Sequence, residues 1–309
     1  MNRPTIPREP QDDYIGERHI YEPHRAGLPP LGKYFRDLWG RRSFAMELAR
    51  TQMRAANTDT VFGQAWLVIN PLLLAGVYYL LVAVISGARR FDPVFFAQLT
   101  SGLFLYYYIS GCISAGVTAV TGGGRLILNT SFPKMLLTIS TVYTAFRRYL
   151  PTLLVFFLIR IMLKQFATPI PPKAGTLPVP YLPWSFEMLW MIPILFLCTL
   201  IGLGLANLFS TIQVYFRDTA AFLPYFIRIW LYLSPVLWSA SKVAGHLTLK
   251  KLSWFNPIFG VLAAQSQILV EGKAPSMLFI AQGLLWGIVL LVGGSLFFMS
   301  RERDFAVRL

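Results

Sequence analysis

The sequence is poor in charge, acids, cysteine and histidine, and each shortage closes off a class of function. Charged residues make up 14% of the 309 positions, against about a quarter in an average soluble domain. Asp and Glu number 14, and none falls between Pro93 and Phe186. That long acid-free stretch argues against a proton relay built on carboxylates there. Cys112 and Cys198 both lie inside apolar runs, and His19, His24 and His246 are scattered, so neither a disulfide framework nor a metal site is indicated. No G-x-x-x-x-G-K-[ST] phosphate loop occurs, and no Ser–His–Asp or paired-carboxylate arrangement suggests catalysis. The first thirty residues carry no apolar core of a cleavable signal peptide.

What the chain has in abundance is apolar sequence: 55% hydrophobic residues and a mean hydropathy of +0.53. Six runs are long enough to cross a bilayer, at 65–86, 94–120, 135–163, 189–212, 220–239 and 278–299. The fold class expected is an all-α integral membrane protein whose six-span domain covers 65–299. The net charge of +14 invites a nucleic-acid reading, but the basic residues sit at the ends of apolar runs. Sixteen Lys and Arg fall in the segments that six spans with inner termini place inside, against eight outside. Both termini are therefore expected in the cytoplasm, with no nucleic-acid partner.

Residues 1–30 read as a flexible, charged tail and 300–309 as a short C-terminal tail. Between 31 and 57, Phe35, Leu38, Trp39, Met46, Ala49, Met53 and Ala56 recur at helical spacing, with Arg36, Glu47, Arg50 and Arg54 off that stripe. This suits a helix in the cytoplasmic membrane interface or against a partner protein. Between the fifth and sixth runs, LSWFNPIFGVLAAQSQILVEG is too apolar for a free loop and too short to cross, which predicts a re-entrant pair of short helices broken at Asn256–Pro257. Gly202 and Gly204, and the Gly283/Gly287 pair, read as places of close helix packing.

The least comfortable residues are Arg147 and Arg148. Twelve residues beyond Met135 they would stand about 18–20 Å along the third run, near mid-bilayer, with Arg228 as a third such cation. A cation there costs at least about 2.5–3.5 kcal/mol on insertion scales unless water or an anion receives it. One reading places them on a hydrated path that attracts the pyrophosphate of a lipid-linked glycan, with Tyr107 among the aromatic residues of that path; the other has them meeting backbone carbonyls or snorkelling.

An ordered set of motifs now resembles a known family. FRDTAAFLPYFIRIWLYLSPVLWS followed by WFNPIFGVLAAQSQILVEG is similar to the membrane subunit of type-2 ABC exporters of lipid-linked polysaccharide. NTDTVFGQAWLVINP at 57–71, SFPK at 131–134 and Arg301–Phe305 match in order. The long polar N-terminal segment looks most like actinobacterial exporters of lipid-linked galactan. The resemblance implies a homodimeric permease in the bacterial plasma membrane, served by two copies of a separate ATPase that hold the ATP and Mg. The chain itself would bind no cofactor and do no covalent chemistry. It implies that 31–57 is the interface helix and that 121–134 couples to the ATPase. There Gly122, Gly123 and Gly124 would permit a sharp turn and Leu126, Ile127 and Leu128 would seat in a groove of the ATPase, with Arg125, Phe132, Arg50 and Arg54 nearby. Trp254, Asn256 and Pro257 would belong to an external gate. The rivals are a type-2 exporter of a drug or lipid, an integral-membrane glycosyl- or acyltransferase, and a secondary transporter.

Overall fold

The computed structural model describes residues 27–55, 61–87, 91–166, 184–240 and 247–309. Most of the expected 1–30 tail lies outside these residues, as do Ala56 of the 31–57 stripe and positions 57–60 of the NTDTVFGQAWLVINP motif. Every regular element among the described residues is helical. In chain order these are α1 (Leu31–Gly40), α2 (Arg42–Ala55), α3 (Trp66–Ser86), α4 (Pro93–Val117), α5 (Ala119–Gly122), α6 (Gly124–Asn129), α7 (Met135–Phe166), α8 (Met191–Tyr215), α9 (Thr219–Leu233), α10 (Leu247–Trp254), α11 (Phe259–Ser266), α12 (Met277–Arg301) and α13 (Phe305–Arg308).

Local chemistry sets the ends of these helices. Asp92 caps α4 by accepting from the backbone N–H of Val94 at 3.0 Å and of Phe95 at 3.1 Å, and Pro93 opens the first turn, where no N–H is needed. Gly87 closes α3 in the left-handed region, at φ +64°. The helix expected over 220–239 stops at Leu233. Ser234 precedes Pro235, whose ring disfavours helical backbone in the residue before it. At 15 residues α9 spans about 22 Å.

Among the described residues, three helical stretches are long and apolar enough to cross a membrane by length and composition: Trp66–Ile85, Phe186–Tyr215 and Met277–Arg308. The helices α4 and α7, of 25 and 32 residues, rise about 38 and 48 Å. The centre of the bundle is α8, packed between α4 and α12. Backbone approaches backbone where α8 crosses α12: a Cβ on Gly204 would sit 2.3 Å from the Leu290 carbonyl carbon, and one on Gly294 would sit 2.2 Å from the Gly204 oxygen. This is the close packing that the glycine pattern predicts, with Gly294 supplying the partner.

The stripe expected over 31–57 does not survive as one helix. The chain breaks at Arg41, so Leu38, Ala49 and Met53 turn toward the bundle while Phe35, Trp39 and Met46 stay exposed. The helix α2 then runs alongside the start of α7 in the same direction. Phe44 meets Phe132 with ring centroids 5.3 Å apart, and further along Thr144 reaches Gln52 at 3.4 Å.

Candidate functional site

A second, smaller core lies at the end of the bundle where α1, α6, the start of α7 and the last residues of the chain meet. Tyr34, Ile127, Met135, Leu137, Val214, Phe298 and Phe305 fill it. One buried carboxylate ties its edges together. Tyr34 Oη donates to Glu302 Oε2 at 2.5 Å, the Lys134 backbone N–H donates to Glu302 Oε1 at 2.6 Å, and Lys134 Nζ donates to the Glu302 carbonyl at 3.0 Å. Three distant parts of the chain thus share one acid. Burial pushes the Glu302 carboxyl above its usual range, against the pull of the Tyr34 and Lys134 donors. Burial and then the neighbouring Glu302 push the Tyr34 phenol up, so it stays a donor, and burial draws the Lys134 ammonium down. Next to this, Tyr215 donates to Asp304 at 2.8 Å, and the Arg308 guanidinium covers the Tyr215 ring at 4.3 Å.

The segment 121–134 borders this knot, and it differs from the expected sharp turn. None of Gly122, Gly123 and Gly124 takes a positive φ; helix continues through α5 and α6 with small breaks at Thr118 and Gly123. What Gly123 provides is room, since a Cβ there would meet Leu137 Cδ1 at 2.8 Å. On α6 the three aliphatic residues divide: Ile127 is 6% exposed and faces the second core, Leu126 is half-buried, and Leu128 is 62% exposed beside exposed Arg125. Phe132 is half-buried against Phe44, and Arg41 donates to the Ser131 carbonyl. Of the residues expected to meet a partner, Leu128 and Arg125 are presented, while Ile127 and Phe132 are used within the chain.

The three arginines expected at mid-bilayer separate into different surroundings. Arg148 lines a cleft of about 600 Å³ between α3, α4 and α7, together with Asn70, Tyr107, Thr141, Thr144 and Thr152. A second cavity of about 500 Å³ reaches toward α2, α5 and α6, and shares Ala115, Thr141, Thr144 and Arg148 with the first. Arg148 thus borders both cavities, mostly apolar but carrying the hydroxyls of Thr141 and Thr144, and Tyr107 lines the first. Arg228 is exposed on α9, within electrostatic range of Tyr107 and Tyr78. Arg147 instead borders another cleft, with Arg50 and Arg54, and its guanidinium lies 6.0 Å from the Tyr143 ring centroid.

The re-entrant candidate is two short helices, α10 and α11, broken at 255–258 as the Asn256–Pro257 pair predicts. Side chains satisfy the break. Asn256 accepts from Trp230 Nε1 at 2.9 Å and donates to Ser234 Oγ at 3.1 Å. Gln282 donates to the Ser253 carbonyl at 2.8 Å, and Trp286 Nε1 donates to the Trp254 carbonyl at 2.8 Å. Asn256 is thus the fastening point between the end of α9 and this segment, and with Pro257 and Phe259 it borders an apolar cavity of about 670 Å³.

Two residues with structural weight went unread in the sequence. Arg160, 1% exposed on α7, donates to the Leu269 carbonyl and lies over the Trp184 ring at 5.4 Å; a lone Arg inside VFFLIRIML was the available signal. Glu302 lay within a recognised motif, but only the fold reveals which donors it collects. No cluster of three His, Cys, Asp or Glu residues able to hold a metal occurs among the described residues.

No protein-family profile matches the chain. Curated proteins do. The O-antigen export system permease protein RfbA of Klebsiella pneumoniae is 23% identical over 84% of this chain and 92% of its own length. The protein of the same name from Myxococcus xanthus is 24% identical over 88% and 97%. The resemblance to polysaccharide-export permeases that the motifs carry is thereby borne out along most of the chain.

Proposed function

We propose that the chain is the membrane subunit of an ATP-driven ABC exporter that moves a lipid-linked polysaccharide, a cell-wall glycan of galactan type, from the cytoplasmic to the external side. The observation that carries this reading is the similarity to O-antigen export permeases over 84–88% of this chain and 92–97% of theirs. An apolar, all-helical chain with three clear candidate spans fits it. In this reading α4, α7 and α9 complete six spans, both termini lie in the cytoplasm, and two copies of the chain form the channel.

Power would come from two copies of a separate ATPase, which bind ATP and Mg. The exposed pair Arg125 and Leu128 on α6 is the docking point, with the Glu302 knot holding α6 against α1 and α7 so that a push on one moves all three. The cleft at Arg148 and Tyr107, with Arg228 beyond, is the substrate path, where guanidinium groups meet phosphate and hydroxyls meet sugar. Trp254, Asn256 and Pro257 form the external gate. The test is reconstitution with the partner ATPase and a panel of lipid-linked glycans. One glycan should stimulate ATP hydrolysis, and Arg148→Gln should abolish the stimulation without lowering the basal rate. A complex indifferent to every glycan would reject the reading.

A further inference from the structure

The structure gathers three arginines that the sequence left apart. Arg50 and Arg54 on α2 and Arg147 on α7 border one open cleft of about 630 Å³, whose remaining lining is Met53, Ala65, Leu67, Val68 and Pro151. Three basic side chains therefore border a cleft that is otherwise apolar, with the Arg147 guanidinium 6.0 Å from the Tyr143 ring centroid and Arg50 bonded to Glu47. Among the described residues, Arg50 meets Glu47 at 3.2 Å with both side chains exposed, a pair that contributes little and is easily exchanged. Among the described residues, neither Arg54 nor Arg147 has an acidic partner. The arginines are held on rigid helices, since Ala45 and Ala49 bury α2 against its neighbours and Thr144 hydrogen-bonds Gln52 one turn from Arg147.

The height of this cleft follows from α7. After Arg147, the exposed residues of α7 are Leu150, Pro151, Leu154, Leu158, Ile161 and Met162, one continuous helix face without charge until Lys164. Arg147 and Lys164 are seventeen residues apart (164 − 147), about 25 Å along the axis. That is close to the roughly 30 Å hydrocarbon thickness of a bilayer. The first three turns of α7, beside α2, then lie below the hydrocarbon, and Arg147 marks its edge. In this placement Arg147 stands at the hydrocarbon edge, whereas counting residues from Met135 puts it at mid-bilayer.

We infer that Arg50, Arg54 and Arg147 form a binding site for the phosphate of a lipid headgroup, with the apolar wall taking the first part of the hydrocarbon chain. Guanidinium groups pair with phosphate oxygens in planar, two-pronged fashion, and three of them suit a phosphodiester or a pyrophosphate. The site rests on the reading of this bundle as membrane-spanning. If the phosphate belongs to the cargo, it is the point at which the headgroup is received before the neighbouring Arg148 cleft. If it belongs to a bilayer phospholipid, it anchors α2 to the membrane.

Lipid binding to the full-length chain alone, in nanodiscs of the phosphate-free, uncharged lipid digalactosyldiacylglycerol, tests this without any ATPase. One arm adds phosphatidylglycerol, the other polyprenyl pyrophosphate, and native mass spectrometry reads the bound lipid. A chain that does not enter the nanodisc would reveal failure of the membrane reading before any probe is added. Wild-type protein should retain one phosphate lipid in at least one arm, and that arm identifies the source. Arg147→Gln should weaken retention about tenfold, as loss of one charge-assisted contact implies. The triple Gln variant should abolish it, and the triple Lys variant should recover much of it. Arg36→Gln on α1 should change nothing. Unchanged retention by the triple Gln variant in both arms, or equal loss with Arg36→Gln, would overturn the site.

Discussion

Replacing Glu302 with Ala should loosen one end of the molecule selectively. The substitution leaves the Tyr34 hydroxyl and the Lys134 backbone N–H without their acceptor, while the Lys134 Nζ contact to the main-chain carbonyl survives. Each charge-assisted bond is worth about 1.5–3 kcal/mol, offset by no longer burying a carboxylate. The two stranded donors, set against relief of the buried carboxylate, give a net loss of about 2–3 kcal/mol. Tyr34→Phe removes one neutral donor and should cost about 1–2 kcal/mol. The pH dependence has a definite sign. Burial raises the folded pKa of Glu302, so between its ordinary value and the raised one the folded chain holds a proton that the unfolded chain releases, and stability falls as pH rises through that window. Removing the Tyr34 donor, which favours the carboxylate, lifts the folded pKa further, so the Tyr34→Phe deficit should grow from acidic to neutral pH; Glu302→Gln should flatten the profile. Thermal unfolding in detergent gives the magnitudes, and limited proteolysis of α1 and α2 gives the location. Wild-type midpoint and wild-type protection of α1 in Glu302→Ala would refute the reasoning.

Gly204→Val should fail to fold or lose more than about 3 kcal/mol, because any Cβ there collides with the Leu290 main chain and not with a side chain that can move; yield of monodisperse protein is the readout. Asn256→Leu strands the Trp230 Nε1–H and frees the 253–258 break, and should cost about 1–3 kcal/mol while raising the labelling rate of a cysteine placed at Phe255. Leu128→Asp should leave unfolding unchanged, since the side chain is exposed, yet prevent co-purification with the ATPase; undiminished co-purification would remove α6 from the docking surface.

Helix existence was legible wherever an apolar run was long, as at α3, α8 and α12, because in such a segment backbone hydrogen bonds must be satisfied internally whatever the neighbours are. Ends were legible only where a local signal was read: the break at Asn256–Pro257 was foreseen, whereas Ser234–Pro235 was passed over and the fifth run was drawn six residues too long (239 − 233). The separate fates of Arg147 and Arg148 could not be read from adjacency, because successive helical residues point about 100° apart and only packing decides which one meets a cleft interior. The same holds for Ile127 and Leu128. The Glu302 knot joins residues 268 positions apart, a distance over which one sequence carries no local signal.

The central claim is that this chain provides a path and another polypeptide provides the energy. Its most direct test is transport into sealed inside-out vesicles that contain the chain with or without its ATPase, followed by enzymatic detection of lipid-linked glycan protected in the lumen. The account predicts protection that requires ATP, the ATPase and this chain together. Glycan movement by the chain alone, or ATP turnover by the chain alone, would contradict it.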